Sequence, residues 1–501
     1  MKEGFRKMSQ ELANFTHGQR LYIGGEWVLP EEGGRIEIVS PSTETLLGAV
    51  GEAGSAEVDK AVALARHAFD HGPWPRMSGT ERAAKLRLVA QRLRERAGDF
   101  AAAWTCQVGM PLRFAQGAAQ SFPQYIEYFS DLAETLGFEE VRKPAQGGVC
   151  MVVREPVGVV VAVVPWNAPM ATLLLKVAPA LAAGCCVIAK PSPETPLEAL
   201  LLAECMEEAG LPEGVFSVLP AGREVSDYLI RKVEVDKVSF TGSTSVGLHI
   251  ASVCGARMAR VVTELGGKSA AIVLDDADIS TVVSGIMPTL VGLAGQQCAA
   301  FSRILVPAAR KAEVEGALAA AMQYVVTGDP YAAETTMGPL IAKRQLDRVC
   351  GLVAKGQQEG GKLVTGGARP AGVERGWFIA PTLFTDVDNA MTIAREEIFG
   401  PVGSIIIYDD VEDAIRIAND SVYGLSGGVF TPDTDRAYAV ARRIRTGNFT
   451  QNGRVIDFTM PYGGFKQSGI GREGGIEGLH GFTEVKAVFL PHPPQGFVLP
   501  E

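Results

Sequence analysis

The sequence predicts an α/β protein built on a doubly wound parallel sheet, with a second α/β domain following it. Three observations carry this. From Gly158 onward, short runs of continuous apolar residues alternate with stretches of helix length. The runs are apolar throughout, as strands covered by helices on both faces must be. The chain has 501 residues, too many for one ordinary hydrophobic core.

Taken in order, LYIGGEWV reads as a hairpin around Gly24 and Gly25, and Glu81 to Arg96 as an amphipathic helix. GVVVAVVP, from Gly158, is a strand, and Met170 to Ala183 is a helix. Gly184 to Pro191 is a second strand, followed by an amphipathic helix from Pro196 to Ala209 that Gly210 stops. Val215 to Pro220 and Val235 to Phe240 are strands, Ser243 to Val253 a helix, and Ala259 to Leu265 a further strand. After Gly267 the alternation resumes with AAIVLDDAD, RILVP and a helix from Ala308 to Tyr324. The tail HPPQGFVLPE has no period and reads as an extended arm.

Composition narrows the function. An apolar fraction of 47% and a charged fraction of 21% are those of a soluble globular protein. A formal net charge of −10 argues against a nucleic-acid partner. The eight cysteines form no CxxC pair, and a chain this long needs no disulfide staples, so a reducing, cytoplasmic setting is expected. The six histidines form no HExxH, and no metal site is expected. The N-terminal segment is charged and polar, unlike a signal peptide. Gly158 to Leu175 carries no charge, but Pro165, Asn167 and Pro169 interrupt it. Lipid offers no partner for backbone groups freed there, so the segment reads as strand, turn and helix, and no membrane partner is expected.

Three motifs bear on chemistry. AGQQCAAFSR isolates Cys298, which is either a nucleophile or one more buried thiol. GIGREG, from Gly469, matches GxGxxG but has no strand before it and no βαβ unit after it. FTGSTSVG has that context: a strand ends at Phe240, Gly242 turns the chain, and Ser243, Thr244 and Ser245 stand where a helix starts. Orphan N–H groups there favour an anion, although plain N-capping by the hydroxyls is the competing reading. Lys190 ends the GCCVIAK strand at the same sheet edge. Alone it would be a solvated strand end; with FTGSTSVG it points to a nucleotide at the carboxyl ends of the strands.

The segments EPVGVVVAVVPWNAP, AKPSPETP, FTGSTSVG, VTELGGKSA, GQQC and EEIFGPV follow one another between LYIGGEW and PYGGFKQSGIGRE. In that order, over nearly the whole chain, the sequence resembles the aldehyde dehydrogenase superfamily, of the hydrolytic NAD(P)-dependent type. The resemblance implies that Cys298 is the nucleophile, Glu264 the general base and Asn167 the oxyanion-binding amide. Read singly, Glu264 could be an ion-pair partner and Asn167 a turn residue before Pro169.

The resemblance also implies a cofactor site, with NAD expected and NADP the alternative. Pro165, Trp166, Lys190, Glu194 and Gly222 belong to it, with Gly242, Ser243, Gly247 and Leu265 along the next turn and helix. Glu397 and Phe399 are the expected contacts to the nicotinamide ribose and ring. The substrate pocket is expected from Ala168, Leu175, Gln297, Ala299, Arg454, Ile456 and Phe458.

Three departures from the family pattern matter. Pro193 stands where a ribose-binding glutamate is frequent, with Glu194 displaced by one, and Ser245 replaces another frequent glutamate. Ala168 and Leu175 stand where relatives carry aromatics, which suggests a roomier apolar pocket. A medium-chain, terpenoid or aromatic aldehyde follows, and a cationic one is disfavoured for want of an aromatic cage. Arg454 would instead suit an acidic aldehyde, or be a solvated loop residue.

Residues 1–136 and 156–266 are expected to form the cofactor domain, 267–479 the catalytic domain, and 137–155 with 480–501 an oligomerisation unit of a homodimer or homotetramer. Two rival readings are a cysteine hydrolase or acyltransferase without nicotinamide, which lacks a matched histidine, and a non-catalytic relative. A CoA-acylating variant is opposed by Glu264, which favours water as acyl acceptor.

Overall fold

The computed structural model describes residues 17–497. The expectations for the first sixteen residues and for the last four of the C-terminal arm therefore lie outside the described residues.

The first sheet has eight strands, in the order Glu26–Val28, Leu21–Ile23, Phe216–Val218, Cys186–Lys190, Val159–Val163, Lys237–Thr241, Arg260–Glu264 and Gly469–Ile470. The five from Phe216–Val218 to Arg260–Glu264 run parallel, and strands consecutive in the chain are joined through a helix, Arg223–Arg231 among them. Their apolar runs are buried almost throughout, and the helices Pro169–Ala183, Leu197–Glu208 and Thr244–Gly255 connect them. Pro169 opens the first of these helices, where a missing N–H costs nothing. Gly184 closes it with φ 101°, a left-handed cap that favours glycine.

Both edges of this sheet are antiparallel. The expected hairpin joins one edge through Tyr22 and Val218. At the other edge Gly469–Ile470, the first residues of GIGREG, pair with Glu264 and Thr263. Gly469 has φ 139°, and a Cβ there would collide with the Thr263 carbonyl oxygen. The glycine thus serves close backbone approach at a sheet edge rather than a phosphate turn.

The second sheet has seven strands: Lys362–Thr365, Thr382–Thr385, Val402–Tyr408, Arg303–Pro307, Ala270–Val273, Ser426–Phe430 and Asn448–Gln451. All neighbours are parallel except the first pair. A three-stranded antiparallel sheet joins Glu139–Arg142, Val149–Pro156 and Thr483–Leu490.

Register positions the site. Val163 lies opposite both Lys190 and Phe240, and Thr241 lies opposite Glu264. The carboxyl ends of the parallel strands are therefore level, and Glu264 sits among them. The chain then crosses from Leu265 to Ser269 and enters Ala270–Val273, beside the central strand Arg303–Pro307 of the second sheet. The carboxyl edge of one sheet thus meets the amino edge of the other. Buried Arg303 locks that meeting: it donates to the carbonyls of Lys268 (3.0 Å), Ile417 (2.8 Å) and Ala418 (2.8 Å). Charge-assisted bonds of this kind fix geometry strongly when their lone pairs have no water to turn to.

Among the described residues, no helix is long and apolar enough to cross a membrane, and no group of three or more His, Cys, Asp or Glu could hold a metal ion. The uncharged stretch from Gly158 to Leu175 is strand, turn and the start of a helix.

Candidate active site

Cys298 follows the helix Ile279–Val291 on a strained turn. Leu293 and Ala294 have φ 51° and 52°, left-handed values that cost energy for residues with a Cβ, and Gly295 follows at 72°. Hydrogen bonds hold the turn in place. Gln297 Nε2 donates to Gly292 O (2.7 Å) and Thr289 O (3.2 Å), and Gln296 Nε2 to Leu293 O (2.8 Å). Asn167 Nδ2 donates to Gln296 O at 2.8 Å, and the Asn167 carbonyl accepts from Trp104 Nε1 at 3.0 Å. The turn after Val159–Val163 and the turn carrying Cys298 are thereby joined.

Gly267 completes the seat of the sulfur-bearing residue. A Cβ there would collide with the Cys298 carbonyl oxygen, so only glycine allows the linker to pass. Gly267→Ala is therefore expected to displace the Cys298 backbone and lower turnover about 100-fold, the effect of roughly 1 Å of misplacement at a reacting atom. Steady-state kinetics on the folded variant check this.

The electrostatics are those of a dry cleft. Burial pushes the Cys298 thiol up to about 11; Glu397 and Glu264 add to the rise, while Tyr462 and Arg454 oppose it. Burial, and then the neighbouring Glu473, hold Glu264 well above the usual carboxylate range. Neither Glu264 oxygen has a hydrogen-bond partner in the structure, so both are available to a water or reactant. Glu473 is itself paired with buried Lys176, whose Nζ also donates to Thr241 Oγ1 at 2.8 Å. Removing one partner of such a buried pair typically costs about 3–5 kcal/mol, so the pair fixes Glu473 beside Glu264.

Polar and charged groups line the carboxyl edge of the first sheet. Ser243 occupies the N-cap of Thr244–Gly255, yet its side chain makes no capping bond. Its hydroxyl reaches Ser245 Oγ at 3.4 Å, and it stands with the first helical N–H groups where an anion would be favoured. Gly242 N donates to Glu264 O at 3.0 Å, and Gly247 lets the helix rest on Leu265. Lys190 is buried, which pulls its ammonium down to about 8, and Glu194 beside it favours the charged form. Glu194 pairs with Arg344 and with the Ser192 hydroxyl. Gly222 caps Arg223–Arg231 and donates its N–H to Glu52 Oε1 at 3.1 Å.

On the facing side, Glu397 Oε1 accepts from Gly267 N at 3.0 Å, and burial raises its carboxyl to about 7. Phe399 has φ 59° and meets Trp166 edge-on, with ring centroids 5.2 Å apart. Pro165 and Trp166 are half-buried in the turn that carries Asn167. A cation, hydroxyls, helix N–H groups and a carboxylate along this edge fit a dinucleotide.

The sequence model of the aldehyde dehydrogenase family matches residues 27–488. The chain belongs to the aldehyde dehydrogenase family. It is similar to a geranial dehydrogenase of Castellaniella defragrans, 43% identical over 473 residues that cover 94% of this chain and 98% of the other. Among solved structures it resembles an aldehyde dehydrogenase of Mycobacterium tuberculosis complexed with NAD+, 43% identical with a TM-score of 0.93 over 96% and 99% of the two chains. A variant of aldehyde dehydrogenase C from Pseudomonas syringae, complexed with NAD+ and octanal, is 38% identical with a TM-score of 0.92 over 96% and 98%. As a member of the family the chain is an NAD(P)-dependent oxidoreductase that converts an aldehyde to a carboxylic acid.

The pocket positions expected from the family vary in how they are placed. Ala168 and Leu175 are half-buried at the N-cap and on the second turn of Pro169–Ala183. Gln297 turns its amide to the end of Ile279–Val291, and Ala299 is fully buried behind the sulfur-bearing residue. Ile456 is exposed. Phe458 stacks on Tyr125 at 4.2 Å and meets Tyr128 edge-on at 5.9 Å. Arg454 is half-buried rather than freely solvated and acts on both Cys298 and Tyr462. Sequence reasoning gave no role to Tyr462, to Tyr125 or to the Lys176–Glu473 pair. The lone charge of Lys176 in the apolar helix PMATLLLKVAPALAA was the available signal, since such a lysine requires a buried partner.

Proposed function

We propose that this aldehyde dehydrogenase oxidises an apolar medium-chain, terpenoid or aromatic aldehyde with NAD, using Cys298, Glu264 and Asn167. The observation that carries the reading is the seam itself, where a cysteine, an unpartnered buried carboxylate and a fixed amide meet between the two sheets.

The Cys298 thiolate adds to the aldehyde carbon and forms a C–S bond, leaving charge on the former carbonyl oxygen. Asn167 has one amide hydrogen on Gln296 O and a second free for that oxygen. The Cys298 N–H, which makes no backbone hydrogen bond among the described residues, is the second donor. Each such donor is worth about 2.7–4 kcal/mol in the transition state. A bound nicotinamide would supply the hydride acceptor for that carbon; with the hydride gone, the carbonyl reforms and Cys298 carries a thioester. Glu264 then takes a proton from water, the water oxygen attacks the thioester carbon, and the thiolate leaves as the acid forms. Lys190, Ser243, Glu194, Glu397 and Phe399 hold the dinucleotide, with Trp166 backing Phe399.

Substrate class follows from the lining. Phe458, Tyr125 and Tyr128 spend their ring faces and edges on one another, and Arg454 adds a positive charge on the same loop. That combination disfavours a cationic substrate and accepts a flat or extended apolar one. The geranial and octanal named for two relatives are of this class. A cysteine hydrolase would need a base such as imidazole at the sulfur, but the groups acting on Cys298 are Tyr462, Arg454, Glu264 and Glu397.

The test is the absorbance of reduced nicotinamide, with NAD or NADP against aliphatic, terpenoid, aromatic and cationic aldehydes. NAD with an apolar aldehyde is expected to be fastest, and preference for a cationic aldehyde would sink the substrate reading. Glu194 bears on the cofactor. A carboxylate beside Lys190 repels a 2′-phosphate, so Glu194→Gln is expected to narrow the preference for NAD over NADP by about tenfold, or roughly 1.4 kcal/mol.

Residues 1–136 with 156–266 make up the cofactor domain in this reading, and 267–479 the catalytic domain. The unit of 137–155 with 480–501 joins subunits into a dimer or tetramer. Thr483–Leu490 lies at a sheet edge and exposes Val485 and Phe489, as a pairing surface would. Light scattering of the purified protein tests the assembly. Among the described residues the eight cysteines form no disulfide, which supports a reducing cytoplasm as the site of action.

A further inference from the structure

Tyr462 has no part in the reaction as derived so far, yet its hydroxyl oxygen lies 3.7 Å from Cys298 Sγ, within hydrogen-bond reach of sulfur. The contact is built from both sides. Tyr462 N donates to Glu473 O at 2.7 Å, and Glu473 N returns a bond to Tyr462 O at 2.8 Å. The two-residue bridge that sets Glu473 beside Glu264 therefore also sets the Tyr462 ring beside the sulfur.

Four groups act on Cys298: the Tyr462 hydroxyl, the Arg454 guanidinium and the carboxylates of Glu264 and Glu397. The two carboxylates and burial all oppose a thiolate. The hydroxyl and the guanidinium favour it. While the sulfur carries its proton, either partner can donate. Once the sulfur is ionised it can only accept, and the bond must run from Tyr462 O–H to Sγ. An interaction made to the charged form alone, or more strongly to it, promotes that form.

We propose that Tyr462 is a catalytic residue whose O–H donates to the Cys298 sulfur and holds the thiolate. Burial and the neighbouring sulfur keep the phenol's own ionisation well above its ordinary value, so the hydroxyl stays a donor. The same bond serves twice. It stabilises the attacking thiolate, and it receives the leaving thiolate when the C–S bond of the thioester breaks and the electron pair returns to sulfur. In both steps the proton remains on the Tyr462 oxygen.

The inference rests on Cys298 being the nucleophile, so the test needs no aldehyde. Iodoacetamide alkylation of the full chain is followed for each cysteine by peptide mass spectrometry, from about pH 6 to 10. Exposed Cys350 is the reference within the same molecule, since six of the other thiols are buried. Tyr462→Phe is expected to slow Cys298 alkylation about tenfold near neutral pH and to move its profile about one pH unit upward, with Cys350 unchanged. Tyr462→Leu, which also lacks the hydroxyl, is expected to give the same shift. Profiles for Cys298 that overlay the wild type in either folded variant overturn the proposal. Failure of the nucleophile reading would show differently, as aldehyde turnover that survives Cys298→Ala.

Discussion

Cys298→Ala is expected to abolish aldehyde oxidation, with kcat falling by at least about 10⁴-fold, as loss of a covalent nucleophile does elsewhere. No other thiol can substitute. Cys106, Cys150, Cys185, Cys186, Cys205 and Cys254 are buried, and Cys350 is on the surface helix Lys343–Gln358. The variant should fold normally, because the strained turn is held by the amides of Gln296 and Gln297 rather than by the sulfur. Reduced-nicotinamide absorbance measures the loss, and a fluorescence titration with NAD should show binding retained. Activity within tenfold of wild type would refute the assignment.

Glu264→Gln is expected to lower steady-state turnover by about 10²- to 10⁴-fold, the usual worth of a general base. The substitution keeps the shape and removes the proton acceptor, so thioester formation should survive and its hydrolysis should stall. A stopped-flow burst of reduced nicotinamide, near one equivalent per site, followed by a slow phase is the expected trace. The pH response follows from burial, which raises the Glu264 carboxyl. Below that raised value the residue is protonated and idle, so hydrolysis in the wild type rises with pH, while the variant is flat.

Stability should run the other way. A carboxyl raised in the folded state holds more protons there than in the unfolded chain, so the wild type loses stability as pH rises from the ordinary carboxylate value. Glu264→Gln removes that loss. Its melting temperature is expected to exceed that of wild type at mildly alkaline pH and to approach it in acid.

The strands and helices of the first sheet were legible because their signals are local. The apolar run Gly158 to Pro165 contains Val159–Val163, and Pro196 to Ala209 contains Leu197–Glu208. Ser243 and Lys190 could be placed at one edge because parallel strands end level. Cys298, Glu264 and Asn167 are different. Their grouping is a matter of long-range geometry, and only the order of motifs suggested it. Gly469–Ile470 was not legible as a strand, because two residues carry no period and their partner is Glu264, far back in the chain. The orientation of Gln297 toward a helix end was hidden for a similar reason, since a side-chain amide leaves no trace in a pattern of polarity.

The late position of that edge strand has a consequence for how the enzyme comes into being. A chain leaving the ribosome displays Cys298, Glu264 and Asn167 long before Tyr462, Gly469 and Glu473 emerge. Until then the edge beside Glu264 is open to water, and Lys176 is a charge with no counterpart. The nascent protein can form the parallel strands of both sheets and still lack the edge that closes the site. Closure of the centre thus waits on Tyr462, Gly469 and Glu473, and a chain truncated before Tyr462 is expected to be inert and poorly closed.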